Sequence, residues 1–269
     1  MSVLHLVRSH RFILAALLAS CAMPALAAMQ AKPVQWTLGD QSFSGVLVYD
    51  DANAIKRPGL VMVPDWMGVT DSAIAKAEHI AGNDYVVLVA DVYGTGVRPK
   101  NGDEAMAQVR KMYADRAQLR ARAGKALEVL KAQAGDAPLD AAKLGAIGYC
   151  FGGATVLELA RSGADIAGVV TFHGGLDTSM PAKKGEVKAS VLVLNGADDQ
   201  GTAGDIAGFE KEMDDAGADW QFVNFSGTVH CFALPDAKSP PGCVYNPLST
   251  QRAERMMHGF FAERFGQHE

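Results

Sequence analysis

The sequence predicts an α/β fold in which a doubly wound, mostly parallel sheet follows a β-hairpin. Short, nearly continuous apolar runs recur along the chain and alternate with stretches of helical length. Such runs are typical of parallel strands that are covered on both faces. Strands that alternate with helices favour right-handed crossovers, which place helices on both sides of the sheet.

The hairpin is expected over residues 34–50, where apolar and polar residues alternate on both sides of Gly39-Asp40. The runs expected to form strands are 59–64, 85–90, 144–148, 168–172, 190–195 and 220–225. The stretches expected to form helices are 70–81, 103–134, 152–161, 203–216 and 248–265. Because no repeat or linker interrupts this order, we expect one domain over residues 28–269.

Residues 1–27 have the features of a secretory signal. Arg8 and Arg11 precede the apolar run 12–18, which is too short to cross a bilayer, and an A-x-A cleavage site ends at Ala27. We therefore expect a periplasmic or secreted protein. The alternative is a lipoprotein signal over residues 18–21, which would anchor the chain through Cys21. No later run has the length of a membrane helix.

Cysteine usage points to one free thiol in the mature chain. Removal of residues 1–27 leaves Cys150, Cys231 and Cys243, and an odd number in an exported protein leaves one of them unpaired. Cys231 and Cys243 lie on either side of a Pro/Gly-rich loop, so we predict that they pair. The alternative is that all three are reduced.

Charge and residue spacing exclude several kinds of partner. The formal net charge is -5 and the basic residues form no stripe, so no nucleic acid partner is expected. No cluster of Cys, His and Asp has the spacing of zinc ligands, so neither a metal nor another cofactor is expected. We expect a monomer that acts on a small molecule.

Residues 143–153 read KLGAIGYCFGG and place Cys150 in a G-x-C-x-G-G turn between an apolar run and a helical run. This is the pattern of a nucleophile elbow, whose sharp strand-to-helix turn needs small residues such as Gly148, Gly152 and Gly153. The thiol would lie at a helix N-terminus, where free N–H groups stabilise a thiolate and a neighbouring oxyanion. The alternative is a buried structural cysteine beside a glycine turn.

A nucleophilic cysteine needs a base, and in folds with this elbow the partners follow in the order nucleophile, acid, histidine. The acid is expected just after the run 190–195, at Asp199 or at Asp198, with Asp199 preferred. His230, in the loop before the last helix, is the expected base. His173 precedes the acid and is followed by two glycines, so it is interpreted as a structural loop histidine.

Five segments of the chain together resemble the dienelactone hydrolase family of α/β-hydrolases. These are GYCFGG at 148–153, PDWMG at 64–68, ADVYG at 90–94, GADD at 196–199 and VHCF at 229–232. The resemblance implies a Cys–His–Asp triad that opens an ester or lactone through a thioester acyl-enzyme, a carboxymethylenebutenolidase-like activity. It also implies that Asp65 holds the resting Cys150, and that the backbone N–H groups of Trp66 and Phe151 form the oxyanion hole.

The chain departs from this family at the two arginines that grip the substrate carboxylate. Thr95 and Leu234 occupy those positions, and Arg98 either replaces the clamp or is an exposed loop arginine. Without a clamp an anionic lactone loses charge-assisted contacts, so a neutral substrate is expected. The positions expected to contact substrate are Tyr93, Thr95, Phe232 and Leu234.

Two other classes of function remain open. A lone thiol in an oxidising compartment is readily oxidised, which would suit a redox or peroxide-responsive protein. The missing arginines would also permit a catalytically silent binding protein with the same fold.

Overall fold

The computed structural model of the chain describes residues 29–266, with an eight-stranded sheet at its centre. The strands are β1 (Met29–Leu38), β2 (Gln41–Asp50), β3 (Arg57–Val63), β4 (Val86–Val89), β5 (Leu139–Tyr149), β6 (Gly168–Phe172), β7 (Ser190–Gly196) and β8 (Trp220–Phe225). The predicted signal peptide at 1–27 and the alternative lipid anchor at Cys21 lie outside the described residues.

The sheet has the strand order β1-β2-β4-β3-β5-β6-β7-β8. β1 and β2 form an antiparallel hairpin, and β2 also pairs antiparallel with β4. All the other neighbouring pairs are parallel. This arrangement confirms the predicted mostly parallel sheet with an N-terminal hairpin.

Six α-helices accompany the sheet in the described part of the chain. They are α1 (Asp71–Ala81), α2 (Gly102–Ala114), α3 (Arg116–Ala132), α4 (Phe151–Arg161), α5 (Ile206–Ala216) and α6 (Pro247–Arg264). The prediction of one helix over 103–134 was wrong, because the chain leaves helical geometry at Asp115. The Asp115 side chain accepts a hydrogen bond from the N–H of Gln118 at 2.9 Å and so caps α3.

The two faces of the sheet pack into two separate apolar cores. On β3, Val61 and Val63 belong to the core shared with α2, α3, α4 and α5, whereas Leu60 and Met62 belong to the core shared with α1 and α6. Alternation of side chains along a strand places neighbours on opposite faces. Every residue of β3 is buried, as expected for a strand covered on both sides.

A buried carboxylate ties together the helices on one face. Glu158 of α4 is fully buried and pairs with Arg116, Arg120 and Arg161 at 3.7, 2.7 and 3.2 Å. Arg161 also contacts Glu212 of α5 at 2.8 Å. A buried charge is tolerated when it is paired, so this network fixes α4 against α3 and α5. α4 is also the helix that follows Cys150.

The segment before α6 contains a small hairpin, β9 (Lys238–Ser239) and β10 (Cys243–Val244). Cys243 of β10 forms a disulfide with Cys231. The predicted pairing is therefore confirmed, and Cys150 is the free cysteine of the described residues. A disulfide is compatible with a protein that folds in an oxidising compartment.

Candidate active site

Cys150 lies in the sharp turn between β5 and α4. Its backbone has φ 53° and ψ -117°, a conformation that residues with a Cβ adopt only when their surroundings impose it. The glycines around it are required by close packing. A Cβ added at Gly148 would lie 2.1 Å from the carbonyl oxygen of Gly152, and one added at Gly152 would lie 2.0 Å from that of Val63. Neither position can hold a side chain without displacing the elbow.

Three side chains from three sheet loops meet at this turn. The Cys150 Sγ lies 3.1 Å from Nε2 of His230, and Nδ1 of the same ring lies 2.7 Å from Oδ2 of Asp199. Asp199 is buried at 3% exposure and its Oδ1 accepts from the N–H of Gly201 at 2.9 Å. Asp198, the alternative acid, is exposed. The contact with the ring is thus made by Asp199.

Two opposing influences set the charge of His230. Burial lowers its pKa, but its hydrogen bonds to Asp199 and Cys150 and their charges outweigh burial and raise the pKa to about 10. The imidazole is therefore stabilised in its protonated form when a negative charge lies on either side of it. This is the electrostatic setting that a thiol base requires.

The ring of His173 packs against the ring of His230. The sequence did not indicate this contact. His173 is fully buried, with its ring 5.0 Å from that of His230 in an edge-to-face arrangement. Burial, aided by His230 and Lys76, lowers the pKa of His173 well below its usual range. Neither ring nitrogen has a hydrogen-bond partner among the described residues. A neutral His173 thus packs against the ring of the base without adding a charge.

The backbone N–H groups of Phe151 and Trp66, the expected oxyanion-hole donors, lie at the start of α4 and after β3. Within residues 29–266 neither N–H donates a hydrogen bond to the backbone or to a side chain. The first N–H groups of a helix have no partner inside it and carry partial positive charge.

Aromatic rings surround the elbow. The ring of Phe151 stacks on Tyr93 at 5.2 Å and lies 5.8 Å from Tyr113 of α2. The Tyr93 hydroxyl donates to the carbonyl of Trp66 at 3.0 Å, which holds the turn that carries the second free N–H group. Burial, and then the nearby Cys150, raise the pKa of both tyrosines. Tyr113 was not predicted, because nothing in its local helical sequence marks it as part of the site.

Asp65 follows β3 as predicted, but its carboxylate bonds to Met67 and not to Cys150, the partner that was expected. Its Oδ1 accepts from the N–H of Met67 at 2.8 Å, whereas Sγ of Cys150 contacts His230. Burial raises the pKa of Asp65, with Lys76 acting in the opposite direction. In this structure Asp65 shapes the turn that carries Trp66 and makes no hydrogen bond to the thiol.

Phe232 was expected to contact substrate, and this needs correction. It is fully buried between His173 and Phe225, at ring distances of 5.2 and 5.6 Å, so it supports the base loop from within the core. Tyr93 is similarly enclosed at 3% exposure, where it positions Trp66.

Thr95 and Leu234, at the positions where a substrate-binding arginine pair was considered, line two separate cavities. Thr95 lines a cavity of about 310 Å³ against the β1–β2 hairpin, and its N–H donates to the carbonyl of Ser42 at 2.8 Å. Leu234 lines a small cavity with Asp65, and neither cavity includes Cys150 in its lining.

Arg98 is held by the protein itself. Its guanidinium donates to the carbonyls of Val97 and Ser44 at 2.8 and 2.9 Å and lies 3.4 Å from the carboxylate of Asp91. These bonds attach the loop after β4 to the hairpin. They leave Arg98 engaged in the fold, which argues against its use as a clamp.

Within residues 29–266 the structure contains neither a metal-binding cluster nor a membrane-spanning helix. No group of three or more His, Cys, Asp or Glu side chains is arranged to hold a metal ion. Likewise, none of the helices described has both the length and the apolar character needed to cross a bilayer.

Comparison with known proteins identifies the family and agrees with the fold. The model of the dienelactone hydrolase family matches residues 43–265. A solved structure named m3DLH is 36% identical with a TM-score of 0.82, and covers 88% of this chain and 98% of its own. A dienelactone hydrolase-like promiscuous phosphotriesterase, P91, from metagenomic libraries is 34% identical with a TM-score of 0.80, at the same coverage of 88% and 98%.

More distant relatives show the fold or match part of the chain. A structure described as a dienelactone hydrolase from Klebsiella pneumoniae has 18% identity and a TM-score of 0.73, covering 87% of this chain and 99% of its own. An uncharacterized protein of Caenorhabditis elegans is 29% identical over 132 residues, which are 47% of this chain and 84% of that protein. The family match spans most of the chain, and the chain belongs to the dienelactone hydrolase family.

Proposed function

We propose that this protein is an exported hydrolase of small esters or lactones that uses Cys150 as nucleophile, His230 as base and Asp199 as the acid that orients the base. The observation that carries the proposal is the continuous chain of contacts from Sγ through the imidazole to the carboxylate, at 3.1 and 2.7 Å. Both distances are within the range expected of a nucleophile, its base and the group that orients the base.

In the first half of the reaction, the Cys150 proton passes to Nε2 of His230, and the resulting Sγ thiolate attacks the acyl carbon. The tetrahedral oxyanion forms beside the free N–H groups of Phe151 and Trp66, which stabilise it. The carbon–oxygen bond to the leaving group then breaks, and the leaving alkoxide takes the proton from Nε2. A thioester on Cys150 and a free alcohol result; from a lactone, the alcohol stays attached to the acyl chain.

In the second half, His230 removes a proton from water, which attacks the thioester carbon. The same two N–H groups bind the second oxyanion. The carbon–sulfur bond breaks, Sγ regains a proton, and the carboxylic acid leaves. Throughout, Asp199 keeps Nδ1 as the protonated nitrogen, so that Nε2 is the one that exchanges protons.

The other two classes of function have less support. A redox-responsive thiol needs no carboxylate to orient a neighbouring histidine, and a silent binding protein needs neither group. The strained conformation of Cys150 also favours catalysis, because backbone strain of this kind persists where a reactive group must be presented.

Turnover of p-nitrophenyl acetate tests the proposal. We expect Cys150→Ala to lower kcat by about three or more orders of magnitude, as loss of a nucleophile does. Iodoacetamide should inactivate the wild-type protein in proportion to labelling of the Cys150 peptide. Near-normal turnover by a folded Cys150→Ala protein would refute the role of the thiol.

We propose hydrolysis of neutral phosphotriesters as a second activity of the same site. It is favoured by the 34% identity to a phosphotriesterase and by the engagement of Arg98 in the fold, which suits an uncharged substrate. Sγ would displace the aryl oxide from phosphorus, and water would then release the diester. Paraoxon turnover that disappears in Cys150→Ala is the expected result; equal turnover in both proteins would contradict it.

A further inference from the structure

The Cys231–Cys243 disulfide begins at the residue that follows His230. The two chain segments that it joins are also bonded through their backbones. His230 forms a parallel bridge with Cys243, and the N–H of Val244 donates to the His230 carbonyl at 3.1 Å. The peptide bond between His230 and Cys231 is thus held by the hydrogen bond to the His230 carbonyl and by the disulfide at Cys231.

Cys231 itself has a backbone conformation that needs support. Its φ is 62°, in the left-handed region that residues with a Cβ avoid. Such a residue stays there only when its surroundings hold it. The Cys231 carbonyl accepts from the N–H of Leu234 at 2.9 Å, which stabilises the turn that follows. On the side of His230, the support consists of the disulfide and the bridge to β10.

The base loop has other anchors on both sides of this point. Before it, the carbonyl of Thr228 accepts from the N–H of Asp198 at 2.9 Å. After it, the carbonyl of Phe232 accepts from the N–H of Asn246 at 3.0 Å and from the hydroxyl of Thr250 at 2.7 Å. Opening of the disulfide would therefore leave both ends of the loop attached and remove the covalent restraint on the short span that carries the imidazole, which backbone hydrogen bonds alone would then hold.

A small reductant has a route to this bond. Cys231 is 6% exposed, but Cys243 is half-buried, and the residues between β9 and β10 are exposed. Pro241 and Gly242 in that turn line a cavity of about 440 Å³ together with Asp199 and His230. The turn that precedes Cys243 and the base–acid pair thus line the same cavity.

We propose that the Cys231–Cys243 disulfide is a positioning element for His230, so that reduction by a dithiol reversibly lowers activity. The inference rests on the proposed role of His230. One thiolate of the dithiol attacks a cystine sulfur and forms a mixed disulfide, and its second thiolate displaces that sulfur. The products are the Cys231 and Cys243 thiols and a cyclic disulfide of the reductant, which supplies both electrons and both protons.

The expected effect follows from the short distances in the site. A displacement of about 1 Å in a catalytic group can lower the rate about a hundredfold. We expect reduction to lower kcat by about ten- to a hundredfold, with KM changed less than about threefold, because the disulfide holds the base and not the substrate pocket. Reoxidation should restore the original kcat.

The experiment compares oxidised full-length protein, the same protein after dithiothreitol, and Cys231→Ser/Cys243→Ser. The double variant should resemble the reduced protein and should not respond to dithiothreitol, which makes it the matched control. Circular dichroism and gel filtration establish that each form is folded. Reduced wild-type protein provides a second test should the variant not fold.

A second measurement separates positioning from a general effect on stability. The rate at which iodoacetamide labels Cys150 at pH 6 reports how well the imidazolium stabilises the thiolate. We expect labelling of the Cys150 peptide, followed by mass spectrometry, to slow at least about tenfold when the disulfide is open. If the disulfide were merely structural, its reduction would lower the melting temperature without changing this labelling rate in the folded protein.

Unchanged kcat and labelling rate in fully reduced, folded protein would overturn the inference. Failure of the proposed function would look different, since the oxidised protein would then show no turnover that Cys150→Ala removes. The labelling measurement uses no substrate, so it tests the link between the disulfide and the thiol–imidazole pair in either case.

Discussion

His230 and Asp199 form a pair in which Nδ1 lies 2.7 Å from Oδ2, while the carboxylate's other oxygen accepts from a backbone N–H. In Asp199→Asn the amide oxygen would keep the bond to Gly201, so the amide nitrogen would face Nδ1. That geometry protonates Nε2 and leaves it unable to accept the thiol proton. We expect kcat to fall about 10³- to 10⁴-fold. Asp198→Asn is the matched control, and a similar loss there would contradict the assignment of the acid.

The same pair should make stability depend on pH in a defined direction. Burial opposes protonation of His230, but its two hydrogen-bond partners raise its pKa to about 10, against about 6.5 in the unfolded chain. A raised pKa contributes stability that is complete below pH 6.5 and is lost as pH rises toward 10. The difference in melting temperature between wild type and His230→Gln should therefore be largest at pH 6 and shrink toward pH 10. Growth of this difference with pH would contradict the raised pKa.

The glycines of the elbow offer a test of close packing. An added Cβ at Gly152 would lie 2.0 and 2.3 Å from the carbonyl oxygens of Val63 and Pro64, so Gly152→Ala must move the elbow or β3. We expect kcat to fall at least about tenfold, with a loss of about 1–3 kcal/mol in the free energy of unfolding. Gly124→Ala, in the middle of α3 with no atom beyond its own helix backbone within 4 Å of the new Cβ, is the control and should stabilise by about 0.5–1 kcal/mol.

Local sequence predicted the elbow because its signals are local: small residues on both sides of a cysteine, between an apolar run and a helix. The break at Asp115 also had a local signal, since aspartate is a preferred N-cap, but a continuous helix was predicted. Tyr113 and the burial of His173 could not be predicted in the same way. Their contacts with Phe151 and His230 depend on how distant elements pack, which periodicity does not encode.

The contact made by Arg98 is another long-range feature. Its partner Ser44 lies on β2 and its partner Asp91 in the loop after β4, and only the folded chain brings them together. Spacing alone allowed Arg98 to be either a clamp or a loop residue. The acid and the base, by contrast, could be predicted from the positions of the strands alone, because the carboxyl ends of parallel strands meet at one edge of the sheet.

The buried Glu158 should be important for stability and unimportant for chemistry. Glu158→Gln leaves three guanidinium groups without their common counter-charge, and breaking a buried ion pair costs about 3–5 kcal/mol. We expect a lower urea midpoint with kcat retained at 25 °C while the protein is folded. Lys211→Ala, which removes an exposed pair with Asp215, is the control and should leave the midpoint unchanged. Equal midpoints for Glu158→Gln and wild type would contradict this account.

The last prediction concerns the charge of the substrate. Thr95 and Leu234 line cavities whose linings do not include Cys150, and Arg98 donates to Ser44 and Val97 within the fold. An anionic acyl group would lose its hydration without gaining a guanidinium partner, and each missing charged hydrogen bond is worth about 1.5–3 kcal/mol. We therefore expect kcat/KM for p-nitrophenyl butyrate to exceed that for the similarly sized p-nitrophenyl hemisuccinate by about ten- to a hundredfold.

The two esters share a leaving group, and rates with Cys150→Ala supply the uncatalysed background. Arg98→Ala should lower the melting temperature and leave the ratio unchanged. A preference for the anion that Arg98→Ala abolishes would show that Arg98 leaves its contacts in the fold to bind substrate.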